Sequence, residues 1–286
     1  MIRGRFITWS VVLLVLIAAN AAIAYALFYS RPEVLTVSFL DVGQGDAIFV
    51  RSPDGVEMLI DGGKDRSALR ELPRLMGPLD RNIDLIVETH PDADHIGGLP
   101  GILERYGISY FLSPGKESDT SINDALRASE ASEPGLEILT AREGMRIHLG
   151  EEVYADILHP DDNVTQLRDT NDASVVMRLV YGESEFMLSG DAPSWVEDRL
   201  VAEYGEKLRS DVLKAGHHGS KTSTDAKWLS AIAPDVVVIS AGKDNSYGHP
   251  HPDVLARIQN AGAAILSTID SGTITFVSDG TTVTKK

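Results

Sequence analysis

Residues 83–98, IDLIVETHPDADHIGG, constrain the fold more than any other part of the sequence. The first half is a continuous apolar run, which is typical of a strand buried on both faces of a sheet. The second half contains two histidines and two aspartates within six positions, residues 90–95. Helix capping explains one aspartate at most and neither histidine. The segment therefore predicts a buried strand that ends in a metal-binding loop.

Other polar residues also follow predicted strands. Asp61 ends MLIDGG, and Asp191 ends FMLSGD. A pair of histidines, residues 217–218, follows DVLKAG, and His249 lies in NSYGHPHP shortly after VVVIS. Catalytic and binding residues are found disproportionately in such loops. We therefore expect these side chains to form one site with the loop at 90–95.

The spacing within this loop matches a site for two metal ions. The chain has no cysteine, so any metal must be held by histidine and carboxylate ligands. Alternate residues of an extended segment lie on one side, so His90 and Asp92 can bind one cation. Asp94 and His95 then face a second cation, and Asp191 can bridge the two. Paired cations of this kind activate a shared water and contact both the attacking and the leaving oxygen of a phosphoryl group.

The remaining pattern predicts one α/β domain over residues 32–286. The strands VLTVSFLDV, QGDAIFVRS and VEMLIDGG come first, and strands alternate with helices after residue 211. Helices are predicted over residues 65–76, 98–106, 121–132, 193–204, 225–232 and 252–261. This order indicates two sheets packed between helices, an αββα four-layer sandwich.

Residues 6–30 carry no charge and are mostly apolar, so they are long enough to cross a bilayer as a helix. Arg3 and Arg5 precede this run, which favours a cytoplasmic N-terminus and an extracytoplasmic remainder. We expect residues 1–31 to be an uncleaved membrane anchor. Because NAAIAYA offers cleavage sites, a removed signal peptide and a secreted protein are the alternative.

Seven motifs, in their order along the chain, are typical of a known protein family. They are FLDVGQGDAIFV, LIDGG, THPDADHIGG, NDASVVMRL, LSGDA, LKAGHHGSKTS and SYGHPHPDVL. In this order they resemble the metallo-β-lactamase fold and, more narrowly, the hydrolase domain of ComEC-type DNA-uptake proteins. The resemblance extends from residue 34 to the C-terminus. It implies nuclease action, with single-stranded DNA outside the membrane as the substrate.

The resemblance also implies ligands residue by residue. His90 and Asp92 would hold the first metal, Asp94 and His95 the second, and Asp191 would bridge them. Asp92 stands where a histidine is usual in the superfamily, as in the ComEC-like branch. An oxygen-rich site of this kind suits Mn²⁺ or Mg²⁺ as well as Zn²⁺.

The remaining ligands are less directly matched. His217 matches the last histidine ligand of the family and is preferred to His218. The separate third histidine of the superfamily is absent, and DTNDAS stands in its place. Asn171, together with Ser174, would therefore face the first metal. Asp61 is expected to steady the metal-binding loop through hydrogen bonds rather than to bind metal.

Residues around these ligands have two interpretations each. His249 either protonates a leaving group or braces its loop. Lys214, Gly219 and Ser220 either contact a substrate phosphate or belong to the turn that aims the histidines. For the glycines beside Asp46 in DVGQGDA, a turn is a sufficient explanation.

We therefore expect an exported hydrolase that uses two divalent ions, Zn²⁺ or Mn²⁺ first, with Asp94, His249 and Lys214 as catalytic residues. Metal-activated water would attack an ester, first of all a phosphodiester. The net charge of −16 argues against general attraction of polyanions, so DNA follows from the resemblance alone. A hydrolase of a small ester, nucleotide or lactam and a non-catalytic anchored binding protein are the alternatives. One predicted membrane span is too few for a DNA translocase.

Overall fold

The computed structural model describes residues 2–29, 34–77 and 79–286. These residues form two units, the helix α1 (Ile2–Tyr29) and a domain over Val34–Lys286. No helix in the described part of the chain is long and apolar enough to cross a membrane, so the predicted anchor over residues 6–30 is not supported. Residue 30 and the predicted domain boundary between residues 31 and 32 lie outside the described residues.

The domain is built on two sheets. Its strands are β1 (Leu35–Phe39), β2 (Ile48–Arg51), β3 (Glu57–Ile60), β4 (Asn82–Val87), β5 (Gly107–Ser113), β6 (Glu137–Thr140), β7 (Arg146–His148), β8 (Val153–His159), β9 (Val176–Tyr181), β10 (Ser184–Leu188), β11 (Val212–Lys214), β12 (Val236–Ile239), β13 (Ala264–Ser267), β14 (Ile274–Ser278) and β15 (Val283–Lys285). The first sheet has the order β15-β14-β1-β2-β3-β4-β5-β6, and the second has the order β13-β12-β11-β10-β9-β8-β7. Strands β3 to β6 are parallel, and so are β10 to β13.

Helices cover the outer faces of both sheets. They are α2 (Ala68–Leu75), α3 (Ala93–Ile96), α4 (Leu99–Leu103), α5 (Ser121–Ser132), α6 (Ser194–Tyr204), α7 (Ala226–Ile232), α8 (Pro252–Asn260) and α9 (Thr268–Ser271), with 3₁₀ turns at Asn171–Ala173, Gly205–Leu208 and Gly216–Gly219. Leu72, Ile102 and Leu126 bring α2, α4 and α5 into the core of the first sheet. Trp228 and Ile258 do the same for α7 and α8 on the second sheet.

The inner faces of the two sheets pack against each other. Side chains alternate between the two faces of a strand, so each strand supplies one row to this layer. Phe276 of β14 contacts Phe39 of β1 at a ring separation of 6.0 Å and Phe186 of β10, in the other sheet, at 6.2 Å. With helices outside and two sheets inside, the predicted four-layer αββα sandwich is confirmed.

Most predicted elements are present, with shorter bounds. Helix α2 begins at Ala68 rather than at residue 65. The Asp65 carboxylate accepts hydrogen bonds from the backbone N and the Oγ of Ser67, at 2.8 and 2.5 Å, and so forms a turn before the helix. The sequence pattern alone does not distinguish this turn from a first helical turn.

A buried ion pair ties α5 to the strand that precedes the metal-binding loop. Glu88 is fully buried directly after β4, and Nη2 of Arg127 donates to its two carboxylate oxygens at 2.8 and 2.6 Å. Replacing Arg127 with methionine leaves this carboxylate buried without its cation. Burial raises the pKa of Glu88 to about 8 even beside Arg127, so in the variant Glu88 takes up a proton and loses two hydrogen bonds. We expect Arg127→Met to lower the free energy of unfolding by about 1–3 kcal/mol in urea titrations.

The exposed pair of Lys227 with Asp198, at 2.8 Å, provides the matched control. Lys227→Met should leave the unfolding midpoint unchanged within error, because an exposed ion pair contributes little. Equal midpoints for Arg127→Met and wild type would show that Glu88 does not depend on Arg127.

Candidate metal centre

The site lies where strands of both sheets end at one edge of the domain. Asp61 follows β3, and the loop at residues 90–95 follows β4 in the first sheet. Asp191 follows β10, and the pair at residues 217–218 follows β11 in the second sheet. Because β3 and β4 are parallel, as are β10 and β11, their carboxyl ends lie side by side within each sheet.

Asp191 lies at the centre of the site. Its Oδ2 atom lies 3.4 Å from the Nε2 atoms of both His95 and His218. The same oxygen lies 3.8 Å from Nε2 of His217 and 3.9 Å from Nε2 of His90. Four imidazoles from two loops, residues 90–95 and 217–218, therefore face one buried carboxylate oxygen.

One side of Asp191 carries what we call the second group, namely Asp94, His95, Asp191 and His218. Nε2 of His218 lies 3.3 Å from Oδ2 of Asp94 and 3.3 Å from Nε2 of His95. Ligand atoms of His95, Asp191, His218 and Asp46 all lie within 4.8 Å of one another, close enough to share a metal ion.

The other side of Asp191 carries the first group, namely His90, Asp92, Asp191 and His217. Nε2 of His90 lies 3.7 Å from Oδ2 of Asp92. Nδ1 of His217 faces Oγ1 of Thr222 at 3.3 Å, so its Nε2 is left toward Asp191. The first group is the more open of the two, because the side chains of Asp92 and His217 are 36% and 29% exposed.

The histidine pair divides between the two groups. Both residues have positive φ angles, 48° for His217 and 55° for His218, which are uncommon for non-glycine residues and occur often at functional sites. Their rings lie 76° apart in orientation. Both histidines of the pair therefore face Asp191: His218 lies with Asp94 and His95, and His217, the predicted last ligand, lies with His90.

A carboxylate contacts the outer nitrogen of His95, which is Nδ1, the ring nitrogen that points away from Asp191. Nδ1 of His95 lies 2.7 Å from Oδ2 of Asp61, which is buried. Asp61 also accepts hydrogen bonds from the backbone N of Thr89 at 2.8 Å and from its Oγ1 at 2.7 Å. Such a partner fixes the orientation and tautomer of a metal-binding imidazole. The structure thus places Asp61 where it was predicted, beside the metal-binding loop.

His218 has a comparable support, which the sequence analysis missed. Its Nδ1 lies 3.0 Å from the carbonyl oxygen of Ser240 and 3.5 Å from Oδ1 of Asp46. Nζ of Lys214 lies 2.7 Å from Oδ2 of Asp46 and donates to the carbonyl of Ala215 at 2.8 Å. Lys214 is fully buried, so the prediction that it contacts a substrate phosphate is wrong. It neutralises Asp46 instead.

Residues of the DTNDAS segment contact members of the first group through hydrogen bonds. Ser174 accepts a hydrogen bond on its Oγ from the backbone N of Asp191 at 3.2 Å, so it positions the central carboxylate. Nδ2 of Asn171 lies 3.5 Å from Nδ1 of His217, the nitrogen that faces away from Asp191. Thr170 donates to Oδ1 of Asp92 at 2.5 Å. The third histidine of the superfamily would belong to the first group, and His217 is the imidazole that lies there beside His90.

The backbone of the GHHGS turn forms a hydrogen bond within the turn itself. Ser220 N donates to the carbonyl of His217 at 2.8 Å, and a side chain at Gly219 would meet Cβ of Pro250 at 2.8 Å. These contacts favour the interpretation that the turn aims the histidines over the interpretation that Gly219 and Ser220 bind phosphate. The ring of His249 lies 5.5 Å from that of His217, and its buried Nδ1 has no hydrogen-bond partner in the described part of the chain.

Buried charges in the site shift one another's pKa values. Burial disfavours the charged form of His95, but the Asp191 and Asp61 carboxylates together outweigh it and raise the pKa of His95 well above its usual range. Burial also opposes the charged form of His218, but Asp191, Asp46 and Asp94 together outweigh it and raise the pKa of His218 to about 9. Burial, with the nearby His95, lowers the pKa of His90. The carboxylates thus make the centre of the site a place that favours positive charge.

The donor set fits divalent cations. Within the described residues, Nε2 of His90 and Oδ1 of Asp191 are buried without a hydrogen-bond partner. Such atoms are rare in folded proteins, and an ion is one established reason for them. Each group offers imidazole nitrogens and carboxylate oxygens, which suit Zn²⁺ and, through the oxygens, Mn²⁺ or Mg²⁺.

Comparison with known proteins gives the family. Residues 40–243 match the metallo-beta-lactamase superfamily. The chain is 30% identical over 258 residues to ComE operon protein 3 of Bacillus subtilis, and 32% identical over 258 residues to competence protein ComA of Neisseria gonorrhoeae. These matches cover 84% and 86% of this chain but only 32% and 33% of those proteins. The chain therefore spans about a third of the length of these curated relatives.

A solved structure shares the fold. Igni18, a metallo hydrolase from the archaeon Ignicoccus hospitalis, has a TM-score of 0.54 and 18% identity, over 84% of this chain and 98% of that one. Together with the relatives, this confirms the resemblance to metallo-β-lactamase-fold and ComEC-type proteins that the seven motifs predicted. The chain belongs to the metallo-β-lactamase superfamily, whose fold is that of metal-dependent hydrolases.

Proposed function

We propose that this chain is a phosphodiesterase that cleaves DNA with two divalent ions, Zn²⁺ or Mn²⁺ first. The observation that carries the proposal is the position of Asp191, whose Oδ2 lies within 3.9 Å of the Nε2 atoms of four histidines. A carboxylate between two sets of imidazoles is the arrangement that a ligand shared by two cations requires.

The residues of the chain have separate roles in this reaction. Bound cations supply the charge that lowers the pKa of a water molecule and offsets the charge on a phosphoryl oxygen. Asp61 holds Nδ1 of His95, and the carbonyl of Ser240 holds Nδ1 of His218 with the Asp46 carboxylate 3.5 Å away, so that the Nε2 atoms keep a fixed direction. His249 lies beside the first group, and we assign to it the transfer of a proton to the leaving oxygen.

The choice of DNA rests on the relatives. Two of them are named competence protein ComA and recombination protein 2, and the second is 30% identical to this chain over 243 residues. The net charge of −16 opposes binding of a polyanion over the general surface. DNA must therefore be held by contacts close to the metal centre, where bound cations offset the acidic residues.

Metal analysis joined to a cleavage assay tests the proposal. We expect the full chain, after reconstitution with Mn²⁺ or Zn²⁺, to hold two ions by mass spectrometry and to cleave labelled DNA until a chelator is added. Asp94→Ala and His95→Ala should each reduce cleavage about 100-fold or more, because each removes a ligand from the second group. His148→Ala, an exposed residue of β7, should match wild type.

Two results would contradict the proposal. One is a reconstituted protein without bound divalent metal, and the other is wild-type cleavage by the Asp94→Ala and His95→Ala variants. Parallel assays on a nucleotide, a carboxylic ester and a lactam would show whether a small ester is the better substrate.

The extracytoplasmic placement is a separate part of the proposal and rests on the sequence of residues 1–30 alone. A C-terminal tag should be cleaved by protease added to the outside of intact spheroplasts. Protection of the tag until the cells are lysed would exclude export.

The role of His249 predicts a dependence on the leaving group. His249→Gln should slow the cleavage of DNA, whose leaving alkoxide needs a proton, about 100-fold. Hydrolysis of bis(p-nitrophenyl) phosphate should fall less than about tenfold, because its leaving group departs without a proton. Rates on both substrates, measured at saturating metal, check this. Equal losses on the two substrates would instead show that His249 braces its loop.

A further inference from the structure

A cavity of about 500 Å³ lies directly beside the metal centre. Its walls come from residues 42–44, 64–65, 93–94 and 242–247. Asp94 belongs both to this cavity and to the second group, where it lies 3.3 Å from His218. A cavity of this size accommodates one small organic unit. Any molecule inside it therefore lies next to the metal ligands.

The loops around the cavity are packed rigidly. Gly45 has a φ of +126°, and a side chain there would meet the carbonyl oxygen of Asp94 at 2.0 Å. Gly242 N donates to Oε1 of Gln44 at 3.2 Å, which joins two walls of the cavity. Nδ2 of Asn245 donates to the carbonyl of Gly242 at 2.8 Å and shapes the third wall. The cavity is therefore formed before a ligand arrives.

Two exposed lysines line the cavity. Lys64 and Lys243 are exposed, and in the described part of the chain neither makes an ion pair or a side-chain hydrogen bond. Three acids line the same cavity. Asp65 accepts two hydrogen bonds from Ser67, Asp94 lies 3.3 Å from His218 in the second group, and Asp244 lies in the loop of Lys243. Cations bound at the second group would offset Asp94, so that the two exposed ammonium groups give this cavity a place for an anionic ligand in a chain of net charge −16.

An aromatic ring joins the cavity to the first group. Tyr247 is 68% exposed at the cavity wall. One face of its ring is stacked on His249 at 5.7 Å, and the ring of His249 lies 5.5 Å from that of His217. An exposed ring that is held on one side is a surface on which a nucleic-acid base can stack.

We propose that this cavity binds the nucleotide next to the scissile phosphodiester of single-stranded DNA, with its phosphate at Lys64 and Lys243 and its base on Tyr247. The inference rests on the proposed function and names the substrate form. Bases in a duplex are paired and stacked on each other, so only an unpaired base can lie on the tyrosine.

Oligonucleotide binding tests the cavity without reference to cleavage. The probe is a fluorescein-labelled, phosphorothioate-linked ten-nucleotide thymidine strand, and the readout is fluorescence anisotropy against the full, metal-loaded chain. We expect Lys64→Gln/Lys243→Gln to weaken binding about tenfold and to reduce the slope of log K against log salt by about 1.4. Tyr247→Ala should weaken binding about tenfold, and Tyr247→Phe should restore it, because the ring is kept.

Controls separate this inference from the proposed function. Lys207→Gln/Lys285→Gln removes two lysines that do not line the cavity and should bind like wild type. Wild-type affinity in both Lys64→Gln/Lys243→Gln and Tyr247→Ala, absence of binding by wild type, or tighter binding of the duplex would each overturn the inference. The wild-type chain could fail to hydrolyse bis(p-nitrophenyl) phosphate and still bind the strand in a way that depends on the lysines and the tyrosine. That result would overturn the proposed phosphodiesterase activity and support nucleotide binding in the cavity.

Discussion

Replacing Asp191 by alanine is expected to abolish DNA cleavage, with a loss of about 1,000-fold or more in kcat/KM. Its Oδ2 faces imidazoles of both groups, at 3.4 Å on one side and at 3.8 and 3.9 Å on the other. Removing it takes a ligand from both groups at once. Mass spectrometry of the reconstituted variant should show fewer than one ion per chain, where wild type holds two.

Two further variants make this result interpretable. Asp191→Asn has the same shape without the negative charge, so it should fold like wild type by circular dichroism and still lose cleavage. Asp41→Ala removes an acid from a loop at the same edge, where its carboxylate accepts a backbone hydrogen bond from Gly43 at 3.3 Å, and should remain active. Retention of a tenth of wild-type activity by Asp191→Asn would mean that the two groups do not depend on a shared carboxylate.

The location of the site followed from the sequence because of a simple property of parallel strands. Apolar runs with polar residues at their ends mark strands whose carboxyl ends lie at one edge. This was enough to bring the loop at 90–95 together with Asp61 and Asp191. The same reasoning predicted the two sheets, because strand and helix periods differ clearly in this chain.

The order of strands and loops does not predict the direction in which a side chain points within a turn. The sequence does not show which of two adjacent histidines, His217 or His218, points toward a given metal ion. Their division between the two groups depends on two consecutive positive φ angles, held in place by backbone hydrogen bonds such as Ser220 N to His217 O. Nothing in the local sequence other than the flanking glycines signals this conformation.

Asp46 was missed because it precedes a strand instead of following one. It lies just before β2, which runs antiparallel to β3, and Ile48 is paired with Ile60. The start of β2 therefore lies at the same edge of the sheet as the end of β3. A polar residue between two glycines and an apolar strand is a usable signal, provided that both ends of hairpin strands are considered.

The partnership of Asp46 with Lys214 carries the second large prediction. Both side chains are buried in the folded domain, and Nζ lies 2.7 Å from Oδ2. Lys214→Met keeps the length of the side chain but leaves a buried carboxylate without its main cation. We expect the free energy of unfolding at pH 7, measured by urea titration of the metal-free chain, to fall by about 3–5 kcal/mol.

The pH dependence of this loss has a definite sign. Burial opposes ionisation of Asp46, but Lys214 and His218 outweigh it and lower its pKa from 3.8 to about 2. A lowered pKa in the folded state adds stability above about pH 4 that disappears as the pH falls toward 2. Without Lys214 this contribution is lost, so the difference between wild type and Lys214→Met should be largest at neutral pH and should shrink in acid. A difference that stayed constant from pH 7 to pH 3 would contradict the ion pair.

A double variant separates the stability of the pair from its role at the metal centre. In Lys214→Met/Asp46→Asn no charge is left buried, so most of the lost stability should return. His218 keeps the carbonyl of Ser240 at its Nδ1 but loses the carboxylate charge 3.5 Å away, so affinity for metal should stay about 10-fold below that of wild type in competition with a chelator. Recovery of both properties would make the pair a structural feature only. Recovery of stability alone would show that a lysine and an aspartate from opposite sheets together orient a metal ligand.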